Sequence, residues 1–192
     1  FGYPYFIKPA NMGSSVGVHK VKNDTEAVSK FEDAFSFDTK VLVEQAIDAR
    51  ELECSVLGND DPQASIVGEI VPHHEFYTYE AKYIDDNGAE LKIPAQDLSK
   101  EVSDRVRQLA VDAFKAIECL GMARVDFFLD RKTGKIYLNE LNTIPGFTPI
   151  SMYPKLWEAT GIPYPKLIDR LIELALERHS QKNSLKTTYD VK

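Results

Sequence analysis

Apolar residues recur at every second position in some stretches of this chain and at every third or fourth in others. Residues 5–8 (Tyr-Phe-Ile-Lys) read as a short strand. A loop rich in Gly and Ser follows to Gly17, and residues 16–21 resume a β-rich run. Asp24 is placed as the cap of a helix reaching about Phe35, with Ala27, Val28, Phe31, Ala34 and Phe35 on one face. Residues 40–46 are a strand with an apolar centre. Residues 51–57 alternate polar and apolar as a half-buried strand should, and a turn at 59–62 returns the chain along 64–71. Residues 72–94 are aromatic and weakly periodic, and a connection of that length inside a compact domain is usually functional or disordered.

The longest periodic stretch spans residues 99–120. Ser99 and Val102 open a helix whose stripe is Val106, Leu109, Ala110, Ala113, Phe114 and Ile117, and Gly121 is placed at its end. Two apolar strands joined by a turn at Gly134 come next, then a turn-rich segment over 143–149. A last amphipathic helix runs from Tyr164 to Arg178 with Pro165 in its first turn. It carries Leu167, Ile168, Leu171, Ile172 and Leu176, and the polar residues 181–192 are expected to form a disordered tail. Two strand-rich portions with covering helices give an α+β protein. Its expected divisions are 1–50 and 51–180, with the boundary near Asp48 to Arg50.

The chemistry gathers on the hairpin that contains Gly134. With Arg131 opposite Lys135 as the last pair and Gly134 left-handed in a three-residue loop, Asp126 falls opposite Glu140 and Arg124 opposite Asn142. The four side chains then share one face, with opposite Cβ atoms about 5 Å apart. Two carboxylates directly opposite each other repel, and a cation between them removes the conflict. Asp, Glu and Asn offer only hard oxygen ligands, which suits Mg²⁺ shared with phosphate oxygens. A solvated hairpin end in which Arg124 neutralises Asp126 is the plainer alternative.

Composition narrows the classes. A net charge of −7 over 192 residues argues against a broad nucleic-acid-binding face, while leaving room for locally concentrated positive charge. With 43% hydrophobic and 28% charged residues the chain is an ordinary globular one, and no run of about 18 apolar residues predicts a membrane span. Cys54 and Cys119 are expected to be reduced thiols in a cytoplasmic protein, and no secretory signal peptide is expected. The chain opens without Met on residues 1–8, which look like a turn feeding a strand, and is expected to be a fragment of a longer protein.

Other stretches carry weaker signals. Lys8 ends a strand before a loop containing Gly13, Ser14, Ser15 and Gly17, which can curl backbone N–H groups around phosphate; it lacks the P-loop pattern and also fits a mobile surface hairpin. Glu44, Gln45 and Ile47 end a strand where a planar base could rest, and Glu51 could accept ribose hydroxyls; charged strand ends are also common without function. The segment Tyr77-Thr-Tyr-Glu-Ala-Lys-Tyr83 is dense in aromatics around Lys82, as a closing loop or as simple packing. Gly146, Ser151 and Met152 could aim backbone N–H groups at an oxyanion or a carboxylate. His19, His73, His74 and His179 show no metal-ligand spacing.

In order, these motifs resemble the ATP-grasp superfamily and, within it, the D-alanine–D-alanine ligase family. The resemblance rests on residues 7–17, on Val43-Glu-Gln45 with Glu51, on Tyr79-Glu-Ala-Lys-Tyr83, on Ala123-Arg-Val-Asp126, and on residues 139–148 with 151–154. It implies an ATP-dependent ligase that makes D-alanyl-D-alanine through an acylphosphate, for peptidoglycan and the bacterial cell wall. ATP would lie between two antiparallel sheets flanked by helices, its adenine near Glu44, Gln45 and Ile47 and its ribose on Glu51. Lys8, Lys82, Ser14 and Ser15 would meet the phosphates. Asp126, Glu140 and Asn142 would bind two Mg²⁺ ions, or Mn²⁺. Arg124 and the Gly146 N–H would stabilise the oxyanion, and Ser151 with the Met152 N–H would hold the second D-alanine. Tyr83 resembles the residue of alanine-using ligases, where D-lactate-ester ligases carry Phe. The family also implies an N-terminal domain before Lys8 and a homodimer, without nucleic acid or membrane, so this stretch alone is expected to show little ligase activity. Another ATP-grasp ligase, a D-Ala-D-lactate ligase, or a nucleotide-binding module without activity are the alternative readings.

Overall fold

The computed structural model describes residues 1–72, 89–186 and 188. His73, His74, Tyr77, Tyr79, Lys82 and Tyr83, all singled out above, lie outside the described residues. The elements are β1 (Tyr5–Pro9), β2 (His19–Val21), α1 (Asp24–Phe37), β3 (Val41–Gln45), β4 (Ala49–Gly58), β5 (Gln63–Pro72) and β6 (Ala89–Lys92). They continue with α2 (Lys100–Ala116), β7 (Gly121–Asp130), β8 (Ile136–Asn142), α3 (Met152–Thr160) and α4 (Tyr164–Asn183). The strands form two antiparallel sheets, one ordered β2-β1-β3 and the other β6-β5-β4-β7-β8, so the fold is α+β. Two compact units result, one built around Phe1–Ala49 and one around Arg50–Ile70, Leu91–Leu129 and the residues from Thr133 on.

In the first unit α1 covers the three-stranded sheet through Ile7, Val21 and Ala34, with Phe31 and Val41 packed alongside. The cap is Asn23, one residue before the expected Asp24: its side chain accepts from the Glu26 N–H at 3.2 Å. Asp24 instead accepts from the Tyr3 hydroxyl. In β1, Phe6 faces Glu44 and Lys8 faces Leu42, so Lys8 and Glu44 share the face turned away from Ile7.

In the second unit the alternation of the central strands separates two kinds of surface. Leu52, Cys54 and Val56 of β4, Val67 of β5, and Ala123, Val125, Phe127 and Leu129 of β7 form one apolar face. The helix α2 seals that face with Val106, Ala110 and Phe114, from three successive turns of its stripe. The helix ends at Ala116, earlier than residue 120, because Glu118 turns left-handed at φ 53°. Gly121, with φ 80°, then starts β7 instead of closing the helix. The Ser99 hydroxyl accepts from the Val102 N–H at 3.2 Å, the cap the sequence predicts.

Two elements were not foreseen. The strand β6 occupies the end of the stretch read as one long loop. The helix α3 follows the turn-rich segment 143–149, in residues to which no element was assigned, and Pro154 sits in its first turn, where helical N–H groups have no intrahelical acceptor. Tyr153 and Trp157 of α3 pack with Leu167 and Leu174 of α4 and with Leu57. The helix α4 continues past Arg178 to Asn183, so the expected tail begins as helix. Its Ile168, Ile172 and Leu176 are exposed, and Leu167 and Leu174 carry its burial. Both cysteines are free thiols, and burial pushes the fully covered Cys54 up to about 12. No described helix is long and apolar enough to cross a membrane.

Phe114 is fully buried beneath the sheet. Truncation by Phe114→Ala should therefore lower stability by about 3–5 kcal/mol, read as an earlier urea midpoint. An unchanged midpoint would show that the ring is not part of this core.

Candidate active site

The face of the five-stranded sheet opposite α2 receives the residues that alternate with the apolar set. From β7 these include Arg124 and Asp126, and from β4 they include Glu53. The β7–β8 register pairs Arg124 with Asn142, Val125 with Leu141 and Asp126 with Glu140, the pairing derived above. Closer to the turn the register departs from the expected one. A bulge between Asp126 and Phe127 brings Phe127 opposite Leu138, and the last pair is Leu129 with Ile136. The turn is therefore longer than three residues, although Gly134 is left-handed at φ 68° as expected. The inserted residue lies in β8 at Asn139, so the slip is confined to the turn side of the functional pairs.

Arg124 holds both oxygens of Asp126: Nε donates to Oδ1 and Nη2 to Oδ2, each at 2.7 Å. Nε also lies 3.1 Å from Oε2 of Glu53, a carboxylate buried in β4 that the sequence reading did not select. Asn142 Nδ2 donates to Asp126 Oδ2 at 3.0 Å and to Glu140 Oε1 at 3.4 Å. Burial works against the charge on Arg124, but the hydrogen bond to Asp126 and the charges of Asp126, Glu53 and Glu140 outweigh it. The guanidinium pKa is raised above its ordinary value. Three carboxylates thus surround one cation, leaving a local excess of negative charge on a partly open face. Glu51 lies two residues from Glu53 along β4 and points to the same side, opposite Ile70.

The segment after β8 is pinned beside the start of α3. The Phe147 ring lies 5.8 Å from that of Tyr153 and 5.3 Å from that of Tyr164, whose hydroxyl donates to the Phe147 carbonyl at 3.0 Å. Ser151 occupies the cap position of α3, but its hydroxyl turns back to accept from the Thr148 N–H at 3.0 Å and does not cap the helix. The hydroxyl also meets Thr148 Oγ1 at 2.9 Å. The Met152 N–H belongs to the first turn of the helix, where the partial positive charge of the backbone favours an anion. A Cβ at Gly146 would come within 2.9 Å of the Ser151 Oγ, so only glycine lets the backbone approach that hydroxyl this closely.

In the first unit Lys8 Nζ meets Glu44 Oε1 at 2.8 Å. The loop between β1 and β2 places Ser14 and Ser15 at φ 56° and 61°, two successive left-handed residues without glycine, ahead of Gly17 at φ 68°. Such residues cost about 1–2 kcal/mol each in intrinsic conformation and persist only where the surroundings hold them. Asn11 provides part of that hold: its backbone N–H and side-chain amide both donate to Asp38, at 2.7 and 2.9 Å. A Cβ at Gly17 would fall 2.7 Å from Phe37, which explains glycine there. Gln45 ends β3, and Ile47 is half-buried in the connection to β4.

The structure therefore gathers Arg124, Asp126, Glu140 and Asn142, adds Glu53 to them, groups Gly146 with Ser151 at the start of α3, and joins Lys8 to Glu44. Removal of Arg124 would leave Glu53 and Asp126 facing each other without that counter-charge. Arg124→Met should cost roughly 3–5 kcal/mol in urea unfolding at pH 7, and adding Asp126→Asn should recover part of the loss. A double variant no more stable than the single one would contradict this account of the cluster.

The sequence profile described as "D-ala D-ala ligase C-terminus" matches residues 1–173. A D-alanine–D-alanine ligase of Caldicellulosiruptor bescii is 60% identical over 186 residues, covering 97% of this chain and 50% of the relative. D-alanine–D-alanine ligase A of Salmonella typhimurium is 58% identical over 187 residues, covering 97% and 51%. Among solved structures, the D-alanine–D-alanine ligase of Coxiella burnetii superposes with a TM-score of 0.83 at 45% identity, over 95% of this chain and 47% of that one. The VanG D-Ala:D-Ser ligase of Enterococcus faecalis gives 0.81 at 39% identity, over 91% and 50%. The chain spans about half the length of the curated relatives it matches.

Proposed function

Because the chain belongs to the D-Ala–D-Ala ligase C-terminus family, we propose that it carries the nucleotide-binding and catalytic half of an ATP-dependent ligase joining two D-alanines. The observation that carries this reading is the cluster of Arg124, Asp126, Glu140 and Asn142 on one end of a hairpin. The cluster combines a cation suited to an oxyanion with hard oxygen donors suited to a phosphate-bound divalent ion.

In the proposed reaction a carboxylate oxygen of the first D-alanine attacks the γ-phosphorus of ATP. The bond from that phosphorus to the bridging oxygen breaks, and ADP leaves with the electron pair. The amine of the second D-alanine attacks the acyl carbon of the resulting acylphosphate. The acyl C–O bond then breaks, inorganic phosphate departs, and the surplus amine proton is lost. Arg124 and the Gly146 N–H face the oxyanion of that second step. Ser151 and the Met152 N–H, at the start of α3, take the carboxylate of the second D-alanine.

Lys8, Ser14, Ser15 and Lys82 take the phosphates, Glu44, Gln45 and Ile47 the adenine, and Glu51 the ribose. Tyr83 accompanies Lys82 and favours an amine nucleophile over D-lactate. The donor set suits a divalent ion in kind, two carboxylates and an amide, with the Asn142 Nδ2 rather than its oxygen turned to Asp126 and Glu140 here. When bound there, Mg²⁺ or Mn²⁺ neutralises phosphate charge. Phosphoryl transfer depends mainly on positioning and on such neutralisation, which Lys8, Lys82 and Arg124 extend. A cytoplasmic role in peptidoglycan precursor synthesis, as a homodimer of the whole protein, completes the reading.

Calorimetric titration should detect Mg²⁺-dependent ATP binding to this chain, abolished by Glu140→Ala. Binding that survives the substitution would remove the cluster from the site. In the whole protein, ATP with D-alanine and D-lactate supplied together should give mainly the dipeptide. A predominance of the ester would refute the amine preference.

A further inference from the structure

Glu53 has no part in the reaction as set out above, yet it is a buried carboxylate in contact with the arginine that does. It lies in β4, beside β7 in the sheet, and only 4% of its surface is exposed. Its Oε2 is 3.1 Å from Arg124 Nε, the atom whose single hydrogen is directed at Asp126 Oδ1 at 2.7 Å. Two carboxylates therefore compete for one N–H, and Asp126 holds it.

That competition matters because Asp126 has two prospective uses. Both of its oxygens are occupied by Arg124, and Oδ2 also receives Asn142 Nδ2. Each carboxylate oxygen has two lone pairs, so a cation can share Asp126 with Arg124, but it repels the guanidinium and weakens the bonds between them. A guanidinium released from its acid on a partly buried face would lose both its hydrogen bond and its orientation. The Glu53 carboxylate stands where it can receive the freed N–H with little movement of the arginine.

We propose that Glu53 is a positioning residue that retains the Arg124 guanidinium when Asp126 turns to a divalent cation, so that Arg124 stays aimed at the reacting groups. The inference rests on the active-site reading above and deepens it. Glu53 touches neither substrate nor metal in this scheme and acts through Arg124. A merely structural Glu53 would lend its charge to the fold and leave the orientation of Arg124 to Asp126.

The test uses the whole chain labelled with ¹⁵N, with the Arg124 Nε–H resonance as its readout. Asp126→Asn withdraws the aspartate charge, as a bound cation would. In that variant the Arg124 Nε–H signal should persist and exchange slowly, handed to Glu53. In the double variant with Glu53→Gln its exchange should accelerate by about tenfold or more, the scale on which supporting partners of a site act. Persistence in the double variant, or loss already in Asp126→Asn, would overturn the proposal.

A second arm uses Mg²⁺ with ATP as the calorimetric probe. Glu53→Gln and Glu53→Asp should both weaken binding by about tenfold. A role of charge alone would let Glu53→Asp bind like the parent, and that result overturns the inference while leaving the function intact. Absence of binding by the parent chain would instead defeat the proposed function, and the resonance arm, which requires no metal or nucleotide, would still decide the role of Glu53.

Discussion

The bidentate bond between Arg124 and Asp126 is the interaction on which the candidate site depends. It holds a cation and an anion two residues apart on the same strand, both at 2.7 Å, on the face of the sheet that α2 does not cover. Without it, the opposition of Asp126 and Glu140 across the β7–β8 pair would be a repulsive contact that a sheet tolerates poorly. Asn142 extends the same network by donating to both acids. These hydrogen bonds and the charge of Arg124 thus offset the repulsion between the two acids across the hairpin.

Sheet geometry sets the limits of that arrangement. Period-two alternation sends Val125 and Phe127 into the apolar core and Arg124 and Asp126 to the opposite face. A one-residue slip at Asp126 would exchange the two sets and destroy core and cluster together. The bulge in β8 comes immediately on the turn side of the Asp126–Glu140 pair, so the register is altered only where no functional side chain depends on it. The turn can therefore be longer than its residues suggest without moving the site.

This explains which parts of the structure were legible in the sequence. The pairing of Asp126 with Glu140 follows from alternation and a glycine turn, both local properties, and it survives an error in the turn itself. The helix α3 was not legible because Pro149 and Pro154 resemble turn residues, whereas Pro154 occupies a first-turn position that requires no N–H. The early stop of α2 depends on the left-handed Glu118, a residue type that gives no warning of that conformation. Glu53 was missed for a different reason. Alternating with Leu52 and Cys54, it reads as the wet side of a half-buried strand, and its burial comes from contacts that become visible only after β4 and β7 are neighbours. The exposed Ile168, Ile172 and Leu176 show the converse: apolar spacing located the helix, while packing against α3 and Leu57 selected Leu167 and Leu174.

The choice of arginine at position 124 connects stability to chemistry. A lysine would bring one point charge, which cannot satisfy both oxygens of Asp126 while remaining within reach of Glu53. The guanidinium does so through Nε and Nη2 with its plane fixed by the fork geometry. Burial opposes its charge, and three acids more than compensate, so the guanidinium pKa is raised and the group is held as a cation. Those acids exceed it in charge, and the surplus is what a divalent ion or an approaching phosphate-bound metal can balance. Ligand charge and resting stability are therefore two settings of one electrostatic cluster: a neutral cluster would fold more easily but would have less affinity for a cation.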